Sequence, residues 1–233
     1  MKIGVLGYTG FVGNAIYKLL QEIKGYVILG INSHTTYFSD EKEFDVVINC
    51  AGFSRKYEAN QNPNKMWCIE YSILERIISL KYKSLVHISS IEAELKLDTY
   101  GIIKNQMENH ILSKCQQVTI LRLGGLIGEG LKKNIIFDLI NDRPLFVTAN
   151  SLYNYISTNE VANIILYLIN NPNKDIINIG ASESILVSDI VQLLKKNVIY
   201  GSKKEIYLID ISKLNSFYKV KTSEKYIREF CNI

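Results

Sequence analysis

The chain has 233 residues, 47% of them hydrophobic and 21% charged, with a net charge of +4. That length buries one sizeable core with a small appended lobe and excludes two large independent domains, while the composition excludes wholesale disorder. The charge is modest and its lysines are scattered as pairs such as Lys132-Lys133 and Lys203-Lys204, which reads as solvated surface and not as a nucleic-acid patch.

Cys50, Cys68, Cys115 and Cys231 show no paired metal-ligand or redox spacing, and His34, His87 and His110 are equally dispersed. No metal site is expected, and reduced thiols fit a cytoplasmic protein. No apolar run approaches the roughly 18 residues that span a bilayer, and glycines from Gly4 to Gly10 interrupt the N-terminal stretch too early for a signal-peptide core. A soluble chain without a membrane partner is the expectation.

Lys2 to Leu6 reads as a short buried strand, Gly7-Tyr8-Thr9-Gly10-Phe11-Val12-Gly13 as a tight glycine turn, and Asn14 to Leu20 as a helix. Val12, Ala15, Ile16, Leu19 and Leu20 keep the spacing that holds one helical face in a core. Such a turn aims unpaired N–H groups and the positive end of a helix dipole at one spot, which suits a pyrophosphate. Gly7, Tyr8, Thr9, Gly10, Phe11 and Val12 are therefore candidate cofactor contacts. The alternative is a glycine turn with no ligand.

Tyr26 to Ile31 reads as a second strand, so the chain opens with a βαβ unit and a parallel sheet. An acid closing this strand binds the adenosine ribose and repels a 2′-phosphate; here stand Asn32, Ser33 and His34. The missing acid favours NADP over NAD. The strand Asp45 to Asn49 follows so soon that any strand and helix between must be very short. It runs into Cys50, Ala51 and Gly52, small residues where backbone can lie against a cofactor.

Asn60 to Pro63 reads as a loop, and Trp67 to Leu80 as a helix with Ile69, Ile73, Leu74, Ile77 and Ile78 in the core. Leu85 to Ile88 is a buried strand ending at Ser89-Ser90, with His87 as a core residue. After an acidic loop, Glu92 to Asp98, a helix runs from Thr99 to about Cys115. Val118 to Leu123 is a strand and Gly124 to Gly130 a loop. Helix Asn134 to Ile140, strand Leu145 to Val147, helix Asn159 to Asn170, strand Ile176 to Ile179 and helix Val187 to Lys195 complete an alternation that specifies a doubly wound α/β sheet.

Tyr100 and Lys104 are four apart on one helix and share a face. The spacing alone is weak, since the chain has 15 tyrosines and Tyr200 and Lys204 repeat it. Context picks Tyr100, which opens an amphipathic helix shortly after a strand ending in serines. A phenol titrates near ~10, and a lysine one turn away lets it exchange protons closer to neutrality. Ser90, at the carboxyl end of a sheet strand, is placed to hydrogen-bond a substrate carbonyl. Arg55, Lys56, Arg122 and Arg143 are candidate substrate contacts, Arg55 and Lys56 for a nucleotide diphosphate, with surface or ion-pair roles as the alternative for each.

The glycine turn, Asn49-Cys50-Ala51-Gly52, Ser89-Ser90 and Tyr100-Gly101-Ile102-Ile103-Lys104 together resemble the ordered motifs of the extended short-chain dehydrogenase/reductase family, the NAD-dependent epimerase/dehydratase group. Leu121 to Gly128, Tyr155 to Ala162 and Asn178-Ile179-Gly180 resemble its later segments, so nearly the whole chain is covered. The motifs are closest to the keto-sugar reductase branch typified by dTDP-4-dehydrorhamnose reductase.

The resemblance implies a Rossmann-type NAD(P)-binding domain over residues 1–123. Residues 124–233 form a small C-terminal substrate lobe, with about 153–180 returning to the sheet. It implies Ser90, Tyr100 and Lys104 as catalytic residues, NADP or NAD as cofactor, and a nucleotide-linked sugar of surface polysaccharide synthesis as substrate. The helices from Trp67 and Tyr100 resemble those the family uses to form homodimers. An epimerase that retains NAD and a non-catalytic NADP-binding sensor are the competing readings. The chain departs from the family in its short loop from Ser90 to Tyr100. The usual asparagine is missing from the helix after Trp67, which has Met66, Cys68 and Ser72 thereabouts. Tyr153 and Asn154 replace the arginine ahead of Tyr155.

Overall fold

A computed structural model of the chain describes residues 1–32 and 43–233. In chain order the elements are β1 (Lys2–Leu6), α1 (Phe11–Gln21), β2 (Val27–Ile31), β3 (Phe44–Asn49), α2 (Lys56–Gln61), α3 (Pro63–Ser79), β4 (Tyr82–Ser90), α4 (Glu92–Leu95), α5 (Thr99–Lys114), β5 (Val118–Leu123), β6 (Gly125–Ile127) and α6 (Ile135–Ile140). They continue with β7 (Leu152–Tyr153), β8 (Tyr155–Ser157), α7 (Thr158–Asn170), β9 (Ile176–Ile179), β10 (Ile185–Leu186), α8 (Val187–Leu193), α9 (Ser212–Asn215) and α10 (Ser223–Cys231). Two compact units divide the chain: Met1–Leu123 with Val161–Ile177, and Gly124–Glu160 with Asn178–Ile233.

Six strands form one sheet in the order β2-β1-β3-β4-β5-β9, and every pair from β2 to β5 is parallel. The central strands read as continuous apolar runs because a parallel sheet is covered on both faces. Leu6, Ile31, Phe44, Val47, Leu74, Ile77, Leu85, Ile111 and Ile120 pack into one cluster that ties the sheet to α3 and α5. This is the doubly wound α/β arrangement that the alternation specifies. Strand order reverses at β1, with β2 on one side and β3 on the other, so a crevice opens at the carboxyl ends of β1 and β3.

Several elements differ from the sequence reading. The short strand and helix expected between Ile31 and Asp45 lie outside the described residues. Helix α3 starts at Pro63, four residues early, because Asn62 caps the Lys65 N–H at 3.2 Å and proline is pre-set for a first helical position. Its buried stripe is Met66, Glu70, Leu74 and Ile77, leaving Ile69 and Ile78 exposed. The loops expected at residues 60–63 and 92–98 hold the end of α2 and the single turn α4. In the second unit, the expected loop after Leu123 contains β6, which pairs in parallel with β8. Leu145 to Val147 is not a strand, although Leu145 and Val147 are buried and Phe146 exposed: it lies beside residues 199–203, with the Leu145 N–H donating to the Ile199 carbonyl at 2.9 Å and the Gly201 N–H to the Val147 carbonyl at 3.0 Å, but the pairing amounts to an isolated bridge between Val147 and Lys203.

Candidate functional site

The turn between β1 and α1 is tightly bound to its surroundings. Gly7 has φ +74°, its N–H donates to the Ile31 carbonyl at 3.0 Å, and its own carbonyl accepts the Gly10 N–H at 2.9 Å. A β-carbon on Gly7 would stand 2.7 Å from the Ala51 nitrogen, so the turn lies directly against the segment after β3. Helix α1 has Gly10 as its N-cap with no side-chain capping bond, and its first turn carries no acid. The first N–H groups of a helix have no intrahelical partner, and among the described residues no side chain is seen to cap them. Those donors, at the crevice where strand order reverses, fit a pyrophosphate.

The segment after β3 is pinned from behind. Asn49 donates to the Ala51 carbonyl and accepts the Ala51 N–H, both at 3.2 Å, and its amide also donates to His87 Nδ1 at 3.0 Å. Burial pushes the Cys50 thiol up to about 12, so it stays protonated and unreactive. Tyr8 leans over Gly30 of β2, where a β-carbon would meet its ring at 2.6 Å. Asn32 is half-buried just past β2; Ser33 and His34 lie outside the described residues.

Ser90 ends β4, where its hydroxyl accepts the Glu92 N–H at 3.3 Å, and Tyr100 stands in the first turn of α5. Asp98 caps α5 through the Gly101 N–H at 3.0 Å, and Asn60 accepts the Tyr100 N–H at 3.0 Å. The ring packs with Phe53, Ala59, Met66, Ile103 and Met107. Lys104, one turn on, holds its Nζ 5.8 Å from the Tyr100 ring centroid. Burial raises the Tyr100 pKa, helped by the charges of Glu70 and Glu92, against the lowering effects of Lys104 and Ser90. For Lys104, burial pulls the pKa down, but Glu70 and Tyr100 outweigh it and the net direction is up. The arrangement is a buried, protonated phenol with a cation beside it.

The four basic candidates divide. Arg55 is exposed and pairs with Glu58 at 3.3 Å; Lys56 bridges Glu92 at 2.7 Å and Asp98 at 3.3 Å. Arg143, in the second unit, lies 5.1 Å over the Phe137 ring and 3.9 Å from Asp138. Arg122 takes the ion-pair alternative of the sequence reading. Its Nε and Nη2 donate to Glu108 and its Nη1 to Glu94, which occupies the edge a diphosphate would need. In the second unit, Asn154 is buried and bonds to both the Ala181 N–H and carbonyl, a structural role.

The family model of the NAD dependent epimerase/dehydratase family matches residues 3–180. The chain belongs to this family. No curated protein sequence gives a significant match. Among solved structures, the epimerase/dehydratase chain is similar to a dTDP-4-dehydrorhamnose reductase from Clostridium acetobutylicum, with 18% identity, TM-score 0.81, and 100% and 99% of the two chains covered. It is similar to RMD from Pseudomonas aeruginosa complexed with NADPH, at 15% identity, TM-score 0.80 and coverage of 100% and 99%. It is also similar to UDP-glucuronic acid 4-epimerase from Bacillus cereus in complex with UDP-glucuronic acid and NAD, at 18% identity, TM-score 0.77 and coverage of 98% and 99%. At these identities the likeness is one of fold.

In this member of the epimerase/dehydratase family, sequence reasoning missed Glu70. Its carboxylate accepts from Lys104 Nζ at 2.5 Å and from the Phe53 N–H at 2.7 Å. The signal was present: Glu70 stands four residues after Met66 and four before Leu74, an acid inside an apolar stripe, and a charge there needs a buried partner.

Proposed function

We propose that the chain is an NAD(P)-dependent reductase of a nucleotide-linked keto-sugar, acting in the cytoplasm in surface polysaccharide synthesis. The first unit holds the cofactor, with its pyrophosphate on Gly7 to Val12 and NADP preferred; the second unit carries the sugar. A bound nicotinamide supplies the hydride. Ser90 hydrogen-bonds the substrate carbonyl and orients it, Tyr100 gives its phenolic proton to that oxygen, and the Lys104 cation offsets the charge left on the phenol. Arg55 and Lys56 are the cations assigned to the diphosphate.

The observation that carries this reading is the buried Tyr100 phenol in the first turn of α5, with Lys104 Nζ 5.8 Å from its ring centroid. A protonated phenol beside a cation is a proton donor, which suits reduction of a carbonyl. The solved structures with NADPH or NAD support a nicotinamide cofactor, and the crevice with unpaired α1 donors fits one.

The test is a parallel titration of the purified protein with NADPH and NADH, followed by nicotinamide fluorescence, together with Tyr100→Phe. Binding that survives Tyr100→Phe, with keto-sugar reduction falling by about 100- to 10,000-fold in the variant, is expected. Stoichiometric NAD in the protein as purified would favour the epimerase. Function untouched by Tyr100→Phe would favour a sensor, and no binding of either nucleotide would overturn the reading.

A further inference from the structure

The position of Glu70 in α3 belongs by spacing to an apolar residue, yet it carries a carboxylate that is 2% exposed. A buried charge is tolerated only when paired and hydrogen-bonded. Glu70 has both, from Lys104 Nζ at 2.5 Å and from the Phe53 N–H at 2.7 Å. The space for the pair depends on Gly52, where a β-carbon would stand 3.0 Å from Lys104 Nζ and 3.3 Å from a Glu70 oxygen. Three separate stretches of chain thus accommodate one ion pair.

That pair sits beside Tyr100. A bare ammonium one helical turn away favours the phenolate, but an ammonium with a carboxylate at hydrogen-bond distance presents a dipole, whose field falls off faster than that of a single charge. Other groups face the same phenol. Glu92 from α4 adds negative charge, and Ser90 from β4 acts in the lowering direction. Around Lys104, Glu108 of its own helix adds to the negative side. His87 of β4 is neutral, burial and the Lys104 charge pulling it down to about 3.

We propose that Glu70 is a positioning residue for the reaction: tied to the Lys104 ammonium and the Phe53 N–H, it offsets part of the lysine's charge beside Tyr100 and so helps keep the tyrosine a proton donor. The inference rests on the reading of Tyr100 as the acid. Removing the carboxylate charge makes the first proton of the coupled Tyr100 and Lys104 pair easier to lose, whichever group gives it up.

The experiment is an alkaline titration of tyrosinate absorbance, taking wild type minus Tyr100→Phe as the Tyr100 signal, repeated in a Glu70→Gln and a Glu70→Asp background. Wild-type Tyr100 is expected to ionise above the ordinary ~10 of a free phenol. In Glu70→Gln, which keeps an acceptor for the Phe53 N–H, the first ionisation falls by about 1–3 pH units. The alkaline limb of kcat/KM moves down with it, and Glu70→Asp restores both. A folded Glu70→Gln whose ionisation and alkaline limb match wild type overturns the proposal. If Glu70→Gln does not fold, wild-type Tyr100 ionising at or below ~10 overturns it as well. The absorbance titrations need neither nucleotide nor sugar, so a failed nicotinamide titration counts against the function and not against Glu70.

Discussion

Arg122 and Glu108 form a forked ion pair inside the first unit, with Arg122 Nη2 2.6 Å from one carboxylate oxygen and Nε 3.0 and 3.1 Å from the two. Glu108 is 1% exposed and also accepts from the Ser89 hydroxyl at 2.6 Å. Arg122→Met therefore strands a buried carboxylate, and the expected loss is about 3–5 kcal/mol of unfolding free energy. Urea denaturation measures it, and Arg122→Met combined with Glu108→Leu should recover most of the loss. A substrate-binding arginine would instead raise KM and leave the denaturation midpoint in place.

Gly10 shows how one position separates folding from binding. Its φ of −78° and ψ of 170° admit any residue, and a β-carbon would lie 3.1 Å from the Gly7 carbonyl oxygen, tight but within reach of a small shift. An aspartate there caps α1 from within and repels a pyrophosphate. Gly10→Asp is expected to keep the thermal midpoint near that of wild type. It should lose about 1.5–3 kcal/mol of NAD(P)H binding, roughly 10- to 100-fold in Kd, in the fluorescence titration.

His87 gives the fold a pH dependence with a definite sign. The Asn49 amide donates to Nδ1 at 3.0 Å, so the neutral ring carries its proton on Nε2. Burial first, and Lys104 second, bring its pKa down to about 3. Above about pH 6.5 the ring is neutral folded and unfolded and contributes nothing. Below that the unfolded chain binds the proton and the folded chain does not. Stability falls with falling pH at about 1.4 kcal/mol per unit from this residue. Unfolding free energies measured down to about pH 4 should lose that slope in His87→Gln.

Tyr155 is 1% exposed, and its hydroxyl finds no hydrogen-bond partner among the described residues. Its ring stacks on Tyr153 at 5.9 Å and 8°, and its N–H is taken by Ser223 Oγ at 3.0 Å. Tyr155→Phe keeps the stack and removes a desolvated oxygen. The expected gain is about 1 kcal/mol, seen as a rise in Tm of roughly 2–4 °C. A fall in Tm would mean that the hydroxyl has a partner in solution.

Local pattern was enough for the alternation of strands and helices, the glycine turn, and the helix that opens at Tyr100 four residues before Lys104. These depend on periods of two and 3.6, on glycine at positions that need it, and on neighbours close in sequence, all of which a linear string contains. Tertiary structure alone decided the partners of the charged groups. Arg122 looks like any substrate-facing arginine until Glu108, 14 residues back, and Glu94, 28 back, are brought against it. Glu70 looks like an ordinary helical acid until Lys104, 34 residues on, reaches it. The fate of a charge depends on burial and on what else is buried with it, and both are set by pairings distant in the chain. The short segment Leu145 to Val147 teaches the same lesson for backbone: its alternation was legible, but its partner is residues 199–203, more than 50 positions on, and their course makes the pairing an isolated bridge instead of a regular ladder.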